Sequence, residues 1–132
     1  WSLANIGSVP VEQYASAVTG LNLPSFDKDD VEDYIRKSGG IIIAAKKCTN
    51  YAIGVTTATL CEALTYKTAS VLSISTMLHG EYGIEDVCLS IPTVVSKDGV
   101  SSRIVAPITD DEIAKLKNSA DCLKNVINQL KF

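Results

Sequence analysis

Residues 87–106 have the sequence VCLSIPTVVSKDGVSSRIVA, and their pattern determines which fold class is predicted. Val87, Leu89 and Ile91 alternate with a cysteine and a serine, a pattern typical of a strand with one buried face. The Asp98-Gly99 pair supplies the positive φ angles of a tight hairpin turn. We therefore expect a strand, a hairpin turn at residues 96–99 and a returning strand over residues 100–106.

Further strands and helices are predicted on both sides of this hairpin. Residues 71–75 alternate in the same way, and residues 1–6 also have the character of a strand. A short helix is predicted from Val9 to Gly20. Together with the long helices described next, these elements predict an α+β fold in which antiparallel strands pack with helices.

Three long helices are predicted from their start signals and their apolar spacing. Asp27 and the acidic residues after it place negative charge where a helix N-terminus favours it. A second helix is predicted over residues 50–66. Thr109 and Glu112 form a capping box at the start of the last helix, which runs to the end of the chain. Gly39-Gly40 lies inside the first of these helices and costs it roughly 1 kcal/mol per glycine relative to alanine. The pair predicts a kink or the close approach of another group.

Composition limits the class of protein. The 132 residues suit one domain over residues 1–132, with 46% apolar and 20% charged residues. The net charge of −3 argues against nucleic acid or an anionic membrane as the main partner. No apolar run approaches the roughly 20 residues of a membrane span.

The cysteines and the first residue carry further expectations. The four cysteines contain no C-x-x-C pair and lie far in sequence from the single histidine, so a zinc site is not expected. We interpret them as reduced thiols of a cytoplasmic protein, mostly packed as small apolar groups.

Trp1 opens directly into a strand-like run without an initiator methionine. We therefore expect this chain to be a piece of a longer protein.

Three longer strings identify a family resemblance. They are KKCTNYAIG at residues 46–54, STMLHGEYGIEDVCLSIPTVV at residues 75–95 and LKNSADCLKNVINQLKF at residues 116–132. Together they resemble the C-terminal, substrate-binding half of the L-lactate dehydrogenases, over essentially all 132 residues. The resemblance implies an NAD-dependent enzyme that interconverts pyruvate and L-lactate, and a homo-oligomer that is commonly a tetramer.

The resemblance also implies roles for individual residues. Thr49 matches a threonine that lies at a break between two helices and faces the substrate, and Ile53 matches a residue against the nicotinamide ring. Residues four apart share a helix face, so the two could line one wall. Two other interpretations stay open: Thr49 is also suited to be a helix N-cap, and Ile53 could be a core residue.

Gly39 departs from the pattern of the family. The family usually has alanine there, next to the substrate side chain, followed by a larger residue; here Gly40 follows. We expect a wider pocket that accepts 2-oxo acids bulkier than pyruvate. The alternative is a neutral change that neighbouring bulk compensates.

The catalytic groups of the family have no match in this chain. The family's histidine, aspartate, substrate arginines and Rossmann domain all lie upstream of the position of Trp1, and this sequence has no G-x-G-x-x-G. We therefore expect no catalytic residue, no metal site and no dehydrogenase activity in the isolated chain. His79 is expected at the surface, and Arg36 and Arg103 in solvent or in interfaces. The cluster Asp27, Asp29 and Asp30 is interpreted as helix-terminus charge.

Three alternatives remain at this point. A malate dehydrogenase similar to the lactate enzymes would usually carry alanine at the position of Thr49 and proline at that of Ile53. A dehydrogenase of longer 2-hydroxy acids is favoured by Gly39. A stand-alone, non-enzymatic assembly module would also lack the catalytic groups.

Overall fold

The computed structural model describes residues 1–20, 22–24, 27–66 and 68–130. Its elements, in chain order, are β1 (Asn5–Ile6), β2 (Val9–Pro10), α1 (Val11–Ala17), α2 (Lys28–Lys46), α3 (Tyr51–Thr65), β3 (Ser70–His79), a 3-10 turn (Glu81–Gly83), β4 (Glu85–Ser96), β5 (Gly99–Arg103) and α4 (Asp110–Gln129). The strand pairs are all antiparallel in these ranges. The predicted α+β class is confirmed.

The backbone divides into two compact units, one of them comprising Trp1 and Leu3–Ala58, and the other Ser2 and the residues from Thr59 onward. The prediction that residues 1–132 form one substrate-binding domain stays a prediction. Among the described residues, no helix combines the length and the apolar content that crossing a bilayer requires.

The first unit begins with a small hairpin rather than one strand. Asn5 pairs with Pro10 and Ile6 with Val9, and the turn between the two strands uses positive φ angles at Gly7 and Ser8. The strand predicted over residues 1–6 is therefore wrong over residues 1–4. The short helix predicted from Val9 begins only at Val11, because the preceding residues pair in β2.

Helix α2 starts as its acidic residues predict. The Asp27 carboxylate accepts from the backbone N–H of Asp29 at 2.7 Å and of Asp30 at 3.4 Å, so it caps the helix. The helix continues without interruption through Gly39-Gly40 as far as Lys46. A Cβ at either glycine would meet nothing within 4 Å in the described residues. The predicted kink is wrong, and no group of the described chain approaches the pair closely.

The second unit is built on a three-stranded sheet in the order β3-β4-β5. Cross-strand partners include Ile74 with Ile91 and Ser75 with Ser90. Buried and exposed residues alternate along β4 as its sequence predicts, since Val87 and Leu89 are buried while Cys88 and Ser90 are exposed. The predicted hairpin turn is confirmed, although the returning strand ends at Arg103 rather than at residue 106.

Helix α4 completes the core of this unit. The Thr109 hydroxyl accepts from the backbone N–H of Glu112 at 3.4 Å, while the Glu112 carboxylate accepts from the Thr109 N–H at 3.0 Å. The predicted capping box is confirmed. Ala120 is buried against the sheet and Leu116 packs beside it. The buried cluster consists of Leu78, Ile84, Val87, Leu89, Ile91 and Ala120.

The turn between β3 and β4 is held by an ion pair. Tyr82 adopts a φ of 55°, unusual for a bulky residue, and its hydroxyl donates to the Ala106 carbonyl at 3.0 Å. The Glu81 carboxylate accepts from the His79 N–H at 2.6 Å and lies 3.8 Å from Arg103 Nε, which also donates to Thr76 Oγ1 at 3.2 Å. The sheet brings Glu81 beside Arg103, so the expectation of a solvated side chain is wrong, and the alternative that Arg103 lies in an interface stays a prediction.

The contacts of the Glu81 carboxylate predict a pH dependence of stability. The His79 N–H and the Glu81 N–H donate to the carboxylate, and with Arg103 beside it they hold the pKa of Glu81 below its usual value of 4.5. A carboxyl group with a lowered pKa stabilises the fold above its unfolded pKa, and this contribution is lost as the pH falls further. We expect the melting temperature to fall less steeply between about pH 6 and about pH 3 in Glu81→Gln than in the unsubstituted chain.

The exposed neighbour Glu85 provides the control for this measurement. Glu85→Gln should keep the steep fall in melting temperature. Equal slopes for the unsubstituted chain and Glu81→Gln would contradict the assignment of the effect to Glu81.

Candidate functional site

The first unit contains a concavity where α2 ends and α3 begins. Its volume is about 350 Å³. The last two turns of α2, the segment between the helices and the first turn of α3 line it. The lining residues are Gly39, Ile42, Lys46, Cys48, Thr49, Asn50, Tyr51, Ala52 and Ile53.

The segment between the helices owes its shape to one left-handed residue. Lys47 has a φ of 67°, and its N–H donates to the Ile43 carbonyl at 2.8 Å, which ends α2. The chain then starts α3 almost at once, since the Asn50 carbonyl accepts from the Gly54 N–H at 2.9 Å. Cys48 and Thr49 are left between the two helices, with their side chains on the concavity.

Thr49 is not the helix N-cap. Helix α3 begins at Tyr51, and Asn50 therefore occupies the capping position. The Thr49 side chain is exposed, and no residue in the described ranges donates to its hydroxyl or accepts from it. The capping interpretation of Thr49 is wrong, and its hydroxyl is available to a ligand.

Ile53 and Gly39 border the same concavity as Thr49. Ile53 is 66% exposed, so within this chain it is not a core residue. Gly39 faces open space, because a Cβ built on it would meet nothing within 4 Å. The structure thus brings together the three residues that the sequence predicted for the pocket, and their roles toward a ligand stay a prediction.

Lys46 and Tyr51 are among the lining residues that were not predicted as site residues from the sequence. The Lys46 ammonium lies 5.8 Å from the centroid of the Tyr51 ring, within the range of a cation–π contact. Lysine in the last turn of a helix ordinarily indicates only a favourable dipole interaction, so no sequence feature indicated that Lys46 lines a concavity.

The remaining candidates lie elsewhere. Arg36 is exposed and lies 3.6 Å from Glu32 on the same helix, and His79 is exposed as the last residue of β3. The described residues contain no cluster of three metal-ligating side chains, and Asp27 serves the helix N-terminus. Cys48, Cys61, Cys88 and Cys122 are free and exposed. Their expected packing in the core is wrong, because each lies on an outward face or in a loop.

Comparison with known proteins identifies the family. The family described as lactate/malate dehydrogenase, alpha/beta C-terminal domain, matches residues 1–131. The chain belongs to this family. The resemblance to the substrate-binding half of the L-lactate dehydrogenases is thereby confirmed.

Individual relatives agree with the assignment of this domain. The L-lactate dehydrogenase of Acetivibrio thermocellus is 32% identical over 98% of the chain, and the L-lactate dehydrogenase B chain of Anas platyrhynchos is 39% identical over 99% of it. The domain spans only 41% and 39% of these two proteins.

Solved structures of the family have the same fold. The minor L-lactate dehydrogenase from Enterococcus mundtii, solved in a ligands-bound form, superposes with a TM-score of 0.85 at 30% identity and covers 100% of the domain. The malate dehydrogenase from Archaeoglobus fulgidus, in complex with NADH, superposes with a TM-score of 0.76 at 29% identity over 83% of the domain. The domain spans 41% and 37% of those chains.

The left-handed residue at the end of α2 generates a testable prediction. A lysine with positive φ is strained in a way that glycine is not. We expect Lys47→Gly to raise the free energy of unfolding by about 1 kcal/mol, measured by urea denaturation. The control Ala45→Gly, inside α2, should lower it by about 1 kcal/mol. A loss of stability in Lys47→Gly would contradict the left-handed cap.

Proposed function

We propose that this domain is the substrate-binding part of a longer, NAD-dependent L-lactate dehydrogenase that converts pyruvate and NADH to L-lactate and NAD. The observation that carries the proposal is the grouping of Thr49 and Ile53 on one concavity, with the Thr49 hydroxyl free of partners in the described residues. Family membership supports the class of reaction.

Thr49 is proposed to bind the polar end of the substrate. A 2-oxo acid presents a carboxylate and a carbonyl, both of which accept hydrogen bonds, and a threonine hydroxyl donates one. A hydrogen bond to a charged group stabilises binding more than one between neutral groups. Because no described residue competes for this hydroxyl, its donor is free for the substrate.

Ile53 is proposed to form the apolar wall beside the nicotinamide. Its exposed side chain and the neighbouring Ala52 give this part of the concavity an apolar surface, which fits the face of an aromatic ring. When bound, NADH supplies the hydride for the substrate carbonyl carbon. The apolar wall that this domain contributes excludes water from the path of the hydride.

The domain is proposed to be inactive by itself. Of the described residues that line the concavity, none is a histidine, an aspartate, a glutamate or an arginine. Reduction of a ketone to an alcohol requires a proton as well as a hydride, and a general acid must supply it. The rest of the proposed enzyme has to provide this group.

Self-association is proposed as well, with a tetramer as the expected state. The proposal is supported by large apolar side chains that α2 and α3 leave exposed, since patches of this kind mark interaction surfaces. They include Tyr34, Ile35, Ile41, Ile43 and Val55.

We also propose a place in fermentative glycolysis and in the cytoplasm, where the free thiols of the chain would stay reduced.

The activity is tested by following the oxidation of NADH to NAD. The full-length protein should oxidise NADH with pyruvate, and the isolated 132-residue chain should not. A preference for oxaloacetate would assign the enzyme to the malate branch instead. If the full-length protein has no activity with any 2-oxo acid, the non-enzymatic assembly role replaces the proposal.

Thr49 gives the sharpest test of the proposed site. Thr49→Val keeps the shape and removes the hydroxyl, so kcat/KM for pyruvate should fall about 10-fold to 100-fold, the cost of a hydrogen bond to a charged group. Thr49→Ser should retain most of the activity. The matched control is Thr56→Val in α3, because the Thr56 hydroxyl already donates to the Ala52 carbonyl at 2.8 Å. Equal effects at the two positions would contradict the assignment.

Gly39 is proposed to leave room for substrate side chains longer than the methyl group of pyruvate. Gly39→Ala should lower kcat/KM for longer 2-oxo acids relative to pyruvate by about 10-fold, since one methyl group in a pocket has effects of this size. Gly40→Ala is the control, because Gly40 shares the helix but is not among the lining residues. If Gly39→Ala leaves the ratio unchanged, Gly39 does not set the size of the pocket.

A further inference from the structure

The concavity carries a charge that the proposed chemistry of Thr49 and Ile53 does not use. Among the described residues, Lys46 is the one charged residue that lines it, and no described carboxylate does. In the described ranges, no aspartate or glutamate pairs with Lys46. Its ammonium lies 5.8 Å from the Tyr51 ring centroid, and both residues border the concavity.

We propose that Lys46 is a positioning residue that attracts the negatively charged substrate into this concavity and holds it there. This inference rests on the proposed function, since it assumes that the concavity receives a 2-oxo acid. The substrate is an anion at neutral pH, whereas the site offers one positive charge, the neutral polar groups of Thr49 and Asn50, and apolar walls. Apolar walls strengthen the field of an unpaired charge and raise the local concentration of counter-ions.

The Tyr51 ring keeps the Lys46 charge on the concavity. A cation over an aromatic face is stabilised without being neutralised, unlike one paired with a carboxylate. A lysine on the surface otherwise samples many rotamers, and the ring beside it restricts them. The ammonium therefore stays on the concavity that Thr49 also lines, with its charge available to a ligand.

A competing explanation is that Lys46 serves only the end of its helix. It lies in the last turn of α2, where a cation interacts favourably with the helix dipole. That role would affect stability and would not depend on the charge of the substrate. The two explanations are separated by substrates that carry one or two negative charges.

The test uses steady-state kinetics of the full-length protein with pyruvate, a monoanion, and oxaloacetate, a dianion. Lys46→Met should raise KM for pyruvate about 3-fold to 10-fold, because one charge pair is lost, and raise KM for oxaloacetate by about the square of that factor. The kcat values should change little. Raising the ionic strength should reduce the difference between Lys46→Met and the unsubstituted enzyme.

Two variants serve as controls. Lys46→Arg retains the charge and should leave KM for both substrates close to the values of the unsubstituted enzyme. Lys47→Met removes the neighbouring lysine, which does not line the concavity and whose ammonium donates to the Ala44 carbonyl at 3.2 Å. It should leave the ratio of the two KM values unchanged.

Each outcome decides the inference. If Lys46→Met changes both KM values by the same factor, or changes neither, Lys46 does not act through its charge and the inference is overturned while the proposed function stands. If the unsubstituted full-length protein reduces neither substrate, the proposed function fails and this inference fails with it.

Discussion

The site depends on one backbone conformation, the left-handed turn at Lys47 that ends α2 only a few residues before α3 begins. Had α2 continued, Thr49 would lie on a helix with its hydroxyl close to the carbonyls of the preceding turn. That competition is seen at Thr56 and Thr57, whose hydroxyls both donate to carbonyls four residues earlier. The interruption leaves Thr49 exposed and without a partner in the described residues, as a substrate-binding hydroxyl requires.

The core of the second unit depends instead on the alternation of inward and outward side chains along β4. Its inward side chains from Val87 to Val95 are buried, and they offer the apolar surface on which α4 packs through Ala120. The positive φ angles in the turn before β4 are stabilised by contacts of Tyr82 and Glu81. This unit therefore has its own core, whereas α2 has no buried residue.

Local signals predicted most of the fold, and contacts that are distant in sequence account for the errors. The capping box at Thr109, the acidic start of α2 at Asp27 and the hairpin turn at residues 96–99 each depend on neighbours within a few positions, and all were predicted. The ion pair of Arg103 was not predicted because its partner Glu81 is brought beside it only by the pairing of strands. The grouping of Gly39, Thr49 and Ile53 could be anticipated only through the family resemblance. Lys46 gave no sequence signal, since its place on the concavity follows from where α2 ends.

The central claim is that the concavity between α2 and α3 binds the substrate through Thr49. The most direct test is a crystal structure of the full-length protein with NADH and oxamate, an analogue of pyruvate that is not reduced. If Thr49 binds the substrate, a ligand oxygen should lie at hydrogen-bond distance from Thr49 Oγ1, about 2.6–3.0 Å, with the nicotinamide ring against Ile53. Oxamate bound elsewhere, with Thr49 facing only solvent, would show that Thr49 does not bind the substrate.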